Sequence, residues 1–519
     1  MSQHQYLIKK EDIEELPDHI AAIQKAAQKK KFELVEPHEE EINKVSNIIL
    51  NFIKENKRKI YGGFALNLLI KDKNPADAIY SDTDIPDIDF YSPEPLKDLV
   101  KLCNVLFKSG FQKVRGSESQ HRETYNIRVG GQLYCDISYV PRNIYNRMPY
   151  REINGLNVIG PEFMLVDYFR LITDMISSTW RLEKTVKRMY LLQKYYPLPY
   201  IKTPIDIKLS TIPEEKVILE NLLDVIFNYI QNNKALVVVG FYAYDQFLKA
   251  SSILKSNSPN AKKFKYLEVP YYEIIVDDYK AQTNQLLDLL KKKYSEIESD
   301  IHVTEHYPFF QFWGYFCLIY YKDKVIAKIF SNNKKCTPLI VLPAYKFQNN
   351  KFLESDPKNT VNIGSFSTVM LNGLITVFKA RVDQDKNLKD LYYTFLSHLM
   401  EMRNYFFNSH KKTIYDNTPF KEFVMDCTGV PITPDQERQL LFEYRKKHKK
   451  YTFKYEPSED GKPTDLNFIF ANSSGNPINN NKNLKLTPEA KEKVEVGDEE
   501  SEEPESDNVN VVNPEKLNK

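Results

Sequence analysis

The stretch from Ile60 to Phe90 constrains this chain more than any other. It sets a glycine pair, Gly62-Gly63, at the head of the apolar helical run Phe64-Ala65-Leu66-Asn67-Leu68-Leu69-Ile70 and, after a polar loop, follows it with Asp87-Ile88-Asp89-Phe90. A glycine pair at a helix start leaves free backbone N–H groups and the positive end of the helix dipole where a phosphate can sit. On a strand, period-two alternation turns Ile88 and Phe90 to the core and both carboxylates to the opposite face. Two like charges side by side repel unless a cation joins them. Magnesium takes oxygen ligands and commonly combines one or two carboxylates with substrate phosphates.

A third carboxylate, Asp136, lies in the strand-like run Gln132-Leu133-Tyr134-Cys135-Asp136-Ile137-Ser138-Tyr139-Val140, after the hairpin signal Gly130-Gly131. Asp82-Thr83-Asp84 is a competing Asp-x-Asp. It lacks apolar alternation and sits among turn formers, so Asp87 and Asp89 are assigned to the metal. Each piece has a plainer use: a glycine pair before a helix is commonly a simple turn. Aspartate is depleted in strands, however, and buried carboxylates are costly unless paired, so the three pieces in order favour a metal-dependent site.

With 519 residues, 42% hydrophobic and 27% charged, the chain suits about three folded domains. No run of eighteen apolar residues predicts a membrane span, and the N-terminus has no apolar signal-peptide core, which argues for an intracellular protein. Cys103, Cys135, Cys317, Cys336 and Cys427 are scattered without a Cys-x-x-Cys, so neither zinc nor a disulfide framework is expected. From Val494 on, nine acidic residues and two lysines give a balance of −7. The net charge of +2 therefore leaves +9 on residues 1–493, a basic body that suits a nucleic-acid binder.

The expected class is α+β, with four regions. Residues 1–57 form a helical region, 58–205 a catalytic module, 206–455 a second module ending in a basic helix, and 456–519 a disordered acidic tail too polar to bury a core. Within the catalytic module, strands are expected near Phe111–Val114 and Tyr125–Val129, and one long helical stretch from Pro161 through Tyr190. Trp180, Arg181, Lys184, Lys187 and Arg188 put cations and aromatics on its successive turns. Near the C-terminus, Thr433-Pro434-Asp435-Gln436 is a capping box opening a helix that ends in Arg445-Lys446-Lys447-His448-Lys449-Lys450. Followed by Tyr451, Phe453 and Tyr455, this run suits single-stranded RNA, with cations on phosphates and rings on bases. Lysines that merely complement the helix dipole are the alternative.

The glycine pair, the Asp-x-Asp and the later strand aspartate resemble the nucleotidyltransferase superfamily typified by DNA polymerase beta. With the two-module chain and the long post-catalytic helix they resemble, more closely, the poly(A) polymerase catalytic subunits of poxviruses and mimivirus-like giant viruses. The loop from Lys71 to Pro86 departs from the family by lengthening the gap between glycines and carboxylates. The resemblance implies that Asp87, Asp89 and Asp136 hold two divalent ions, Mg2+ or Mn2+, and that Gly62, Gly63, Arg181 and Lys184 bind ATP. It implies adenylyl transfer to an mRNA 3′ end, a homodimer, and a place in the host cytoplasm's viral factory and in the virion. The basic run adds Lys446, Lys447, Lys449 and Lys450 as RNA-binding candidates. An oligoadenylate synthase or uridylyl-adding enzyme, or a non-catalytic RNA-binding scaffold, would share parts of this pattern.

The second module repeats the grammar of the first. Val239-Gly240-Phe241 aligns with Tyr61-Gly62-Gly63, Pro270-Tyr271-Tyr272-Glu273 with Pro86-Asp87-Ile88-Asp89, and Asn362-Ile363-Gly364 with Val158-Ile159-Gly160. Counting forward from a hairpin at Lys322-Asp323 puts Lys328 where Asp136 stands. The prediction is a duplicated fold whose second copy cannot hold a metal.

Overall fold

The structure, a computed structural model, describes residues 9–35, 39–80, 86–119, 123–256, 259–333, 335–348, 351–354, 359–430, 432–448 and 453–457. The expected acidic tail, Asp82, Asp84, Lys449, Lys450 and Tyr451 lie outside them.

Helices Lys10–Val35 and Glu39–Glu55 open the chain. Strands β1 (Lys59–Tyr61), β2 (Ile88–Ser92), β3 (Arg115–Glu118), β4 (Thr124–Val129), β5 (Gln132–Tyr139), β6 (Tyr150–Ile153) and β7 (Leu156–Ile159) follow in the first module. The second holds β8 (Val237–Val239), β9 (Tyr272–Val276), β10 (Ile301–His306), β11 (Phe316–Tyr321), β12 (Lys324–Ser331) and β13 (Thr337–Pro343). It continues with a small hairpin of β14 (Tyr345–Gln348) and β15 (Lys351–Glu354), then β16 (Thr360–Gly364) and β17 (Cys427–Thr428). Last comes β18 (Lys454–Tyr455). Two eight-stranded mixed sheets result, ordered β18-β3-β4-β5-β2-β1-β7-β6 and β10-β11-β12-β9-β8-β16-β13-β17.

Apart from one terminal strand each, the two orders are the same path through the same succession of elements, as the duplication predicts. The register carries the match to single residues. Tyr61 lies opposite Asp89 across β1 and β2, and Val239 opposite Glu273 across β8 and β9, both antiparallel. β7 runs parallel to β1, and β16 parallel to β8. β5 and β12 are eight residues long with the same succession of buried and half-buried positions, and Asp136 and Lys328 are each the fifth. Each module then enters a helix, Pro161–Ile172 or Phe366–Asp383, and these two equivalent helices pack on one another through an edge-to-face contact of Phe163 and Phe378 at 4.8 Å.

Five expectations need correction. Asp87 stands one residue before β2, not within it, although it still joins the site below. The strand expected at 111–114 starts at Arg115, after the turn that closes helix Pro95–Lys108. The long helix stops at Ile172 and resumes as Met175–Ser178 and Leu182–Tyr195. At the break the Thr173 hydroxyl donates to the Phe169 carbonyl at 2.8 Å, while Asp174 leaves helical geometry at φ −116°, ψ 59° and pairs with Lys335 at 3.3 Å.

Phe453 and Tyr455 are buried, not offered to bases. Tyr455 pairs with Gly116 across β18 and β3 and its hydroxyl donates to Asn104 at 2.6 Å, while the Phe453 ring meets Tyr125 edge-on. Cys336 and Cys427 form a disulfide, with Cα atoms 5.4 Å apart across 91 residues of sequence. The pairing of β13 with β17 delivers it, a long-range contact that no local cysteine spacing announces. Cys103, Cys135 and Cys317 are buried and join no disulfide among the described residues.

Candidate active site

The site grows from the turn between β1 and helix Gly62–Lys73. Tyr61 caps that helix in extended geometry without a side-chain hydrogen bond, so its first turn is not sealed by a capping side chain. Gly62 has φ +73°, and a Cβ there would collide with the Asp89 carboxylate; glycine is what lets the turn and the acid share the space. A Cβ on Gly63 would collide with the Tyr80 hydroxyl and lie 2.9 Å from Arg188 Nη1. The helix start is thus flanked by a carboxylate and a guanidinium.

Asp87, Asp89 and Asp136 each offer a carboxylate oxygen, and these atoms lie within 4.8 Å of one another. Asp89 and Asp136 are half-buried and Asp87 is exposed. Among the described residues no other group of His, Cys, Asp or Glu converges in this way. Three hard, anionic oxygens at this spacing fit a divalent magnesium-type ion and do not suit zinc, which favours nitrogen and sulfur.

Across from the carboxylates, helix Leu182–Tyr195 and the turn before it bring up cations. Burial, then the Arg188 charge, lowers the pKa of Arg181, with Asp87 and Asp89 pulling the other way. Lys184 is lowered likewise, by desolvation first and then by Arg188 and Arg181, again opposed by Asp87 and Asp89. Three mutually repelling cations facing Asp87 and Asp89 form a divided field: one side suits metal, the other phosphate.

The sequence pattern alone gives Arg188 no specific role. It stands one turn beyond Lys184, a spacing that could have marked it. It donates to the Tyr80 hydroxyl at 2.9 Å, with its guanidinium 5.6 Å from that ring's centre. Tyr80 is held in turn by Asn67, whose side-chain oxygen accepts from the backbone N–H of Ile79 at 3.0 Å and of Tyr80 at 3.4 Å. Asn67 looks like filler in an apolar helix, yet it fixes the unusually long loop that delivers Tyr80.

Lys446 and Lys447 are exposed at the end of helix Pro434–Lys447. The predicted capping box is formed at its start: Gln436 N–H donates to the Thr433 hydroxyl at 3.2 Å, and Thr433 N–H to the Gln436 side chain at 2.9 Å. Arg445 is drawn away from the basic run into an ion pair with Glu118.

The equivalent place in the second module is closed. Gly240 keeps φ +66°, where a Cβ would collide with Glu273, but Phe241 replaces the second glycine and is buried against Tyr271, Tyr392 and Phe395. Glu273 is fully buried, accepts from the Tyr392 hydroxyl at 2.9 Å and pairs with Lys328 at 3.5 Å. Lys328 sits 4.2 Å from the centre of the Tyr271 ring. Burial works against its charge, yet Tyr271 and Glu273 together hold its pKa above the ordinary lysine value. A cation is built in where the first module converges carboxylates.

Residues 47–178 match the family described as Poly(A) polymerase catalytic subunit, and residues 192–487 match one described as the C-terminal part of the APMV poly(A) polymerase catalytic subunit. A relative from Acanthamoeba polyphaga mimivirus, named as a poly(A) polymerase catalytic subunit, is 34% identical over 492 residues, which cover 90% of this chain and 81% of that one. One from African swine fever virus, named alike, is 27% identical over 210 residues, 38% of this chain and 42% of its own. The crystal structure of the Megavirus polyadenylate synthase matches with a TM-score of 0.79 at 31% identity, covering 93% of this chain and 95% of that one.

Proposed function

The chain belongs to the family of viral poly(A) polymerase catalytic subunits and is an enzyme of that kind; from this premise we propose that it adds AMP from ATP, without a template, to the 3′ ends of mRNA. The observation that carries the reading is the convergence of Asp87, Asp89 and Asp136 beside a helix start opened by Gly62 and Gly63.

In this reading Asp87, Asp89 and Asp136 would hold two divalent ions, Mg2+ or Mn2+, which would acidify the RNA 3′-hydroxyl and neutralise the departing pyrophosphate. The protein supplies position and charge. The first-turn N–H groups after Gly62 and Gly63 donate to the triphosphate oxygens, and Arg181, Lys184 and Arg188 balance its charge from the other side. Tyr80 aims Arg188 by the hydrogen bond between them, and Asn67 aims Tyr80. The 3′-hydroxyl gives up its proton to water as its oxygen attacks the α-phosphorus in line, one phosphoanhydride bond breaks, and pyrophosphate leaves with no covalent enzyme intermediate.

We further propose a homodimer, resident in the host cytoplasm's viral factory and carried in the virion; sedimentation and fractionation of infected cells and purified particles test these. The deciding assay incubates the protein with an RNA primer, magnesium or manganese, and each labelled nucleoside triphosphate in turn. Extension with ATP supports the reading. Extension only with UTP, or adenylate joined without the primer, would replace it with a sister nucleotidyltransferase, and no transfer at all would leave an RNA-binding scaffold.

A further inference from the structure

A cleft of about 720 Å³, counting its open mouth, lies where helix Pro161–Ile172 and the turn after it face the C-terminal ends of β9 and β12 and helix Phe366–Asp383. Arg170, Asp174, Phe312, Trp313, Lys335 and Asn372 contribute to its lining. None of them belongs to the carboxylate site or its cations.

Asn372 is the telling residue. It is only 4% exposed, and among the described residues its buried side-chain nitrogen has no hydrogen-bond partner. A buried donor left open costs about 1–3 kcal/mol, which proteins seldom tolerate unless water or a ligand supplies the acceptor. Phe312 and Trp313, which line the same cleft, are half-buried and so keep part of their surface accessible. Arg170 is matched by Asp167 at 3.2 Å and lies 5.4 Å from the centre of the Phe312 ring, and Lys335 is matched by Asp174 at 3.3 Å. With its cations already balanced by carboxylates, the cleft lacks the uncompensated positive charge that a triphosphate needs. Exposed ring surface plus an amide donor in want of an acceptor is the chemistry that takes a flat heterocycle with ring nitrogens or carbonyl oxygens.

We propose that this cleft binds an unpaired nucleobase of the RNA strand being extended, with Asn372 donating to the base edge and Trp313 or Phe312 packing on its face. The proposal rests on the RNA-extending function above, but its test does not depend on catalysis. The chain has two tryptophans, so Trp180→Phe leaves Trp313 as the sole indole reporter in the full-length protein. Its emission is titrated, without divalent metal or ATP, with a short oligoadenylate, with an abasic strand of equal length, and with AMP.

The expected result is saturable quenching by the oligoadenylate and little by the abasic strand. Asn372→Leu should weaken that affinity about tenfold while leaving the thermal midpoint unchanged or higher, because the open donor is gone. Phe312→Leu, which should also weaken quenching, keeps the test alive if Asn372→Leu does not fold. Equal quenching by the abasic strand, affinity unchanged in a folded variant, or quenching by AMP but not by the strand would each overturn the assignment to RNA bases. Primer extension is measured separately. Its loss with quenching intact would overturn the functional reading alone, and extension by a protein that shows no base-dependent quenching would overturn the cleft.

Discussion

The two halves of this chain run one fold through two chemistries. In both, a glycine with positive φ lets the turn after a central strand press against an acid on the neighbouring strand: Gly62 against Asp89, Gly240 against Glu273. In the first half that acid is joined by two more carboxylates and remains half-buried. In the second it is sealed between Tyr392 and Lys328, fully buried. The positive-φ glycine and its close approach to an acid are common to both halves, whereas among the described residues only the first half gathers three carboxylates there.

The largest effect expected follows from the carboxylates. Asp87→Ala, Asp89→Ala and Asp136→Ala should each lower nucleotide addition by on the order of a thousandfold or more, since several kcal/mol of transition-state stabilisation go with the ligand. RNA affinity, carried by dispersed cations, should survive in each. Primer extension and filter binding on the same preparations separate the two. Near-normal extension by any of the three would break the assignment.

The glycines sharpen the comparison next. Gly62→Ala pushes on Asp89 and should cost about a hundredfold in rate, the usual effect of a misplacement near 1 Å in a reacting site. Gly240→Ala pushes on a buried ion pair instead and should cost roughly 2 kcal/mol or more of stability, read by denaturant unfolding, with little change in the rate of the surviving enzyme. If both substitutions acted alike, the halves would not differ as described.

Buried polar groups in the second half should appear in stability, not in activity. His398 is fully buried; its Nδ1 accepts from the Tyr244 hydroxyl at 2.9 Å and its Nε2–H donates to the Thr203 carbonyl at 3.0 Å. Burial first, and the Lys263 charge second, lower its pKa to about 4 from 6.5. Between those values the unfolded chain takes up a proton that the folded chain refuses. The stabilisation is therefore complete above pH 6.5 and is lost as pH falls through 4. It amounts to on the order of 3 kcal/mol, and a His398→Asn variant should show a correspondingly flatter stability profile.

The smallest effect belongs to the basic run. Neutralising Lys446 and Lys447 should reduce the slope of log affinity for RNA against log salt by about one or two, one for each phosphate deprived of its lysine. An unchanged slope would make them solvated helix-end lysines and nothing more.

Much of this was legible because local patterns carried it. Alternation placed Asp89 and Asp136 on strands, the glycine pair marked the helix start, and the repeat of both exposed the duplication down to Lys328 opposite Glu273. What escaped depended on residues far apart in sequence. Arg188 is positioned by Tyr80, 108 residues away, and Tyr80 by Asn67. The helix break at Thr173 and Asp174 answers to Lys335 in the other module, and Phe453 and Tyr455 are claimed by a strand edge more than three hundred residues earlier. A run of cations and aromatics looks the same on paper whether its rings face water or a core.

Counting manganese by electron paramagnetic resonance, on the intact chain and on two variants, tests the asymmetry most directly. Binding should be abolished or severely weakened by Asp89→Ala and left unaltered by Glu273→Gln, because a buried glutamate already bonded to Lys328 and Tyr392 has no place for an ion. Manganese retained by Asp89→Ala and lost in Glu273→Gln would put the metal in the second module and contradict the division of chemistry between the two halves.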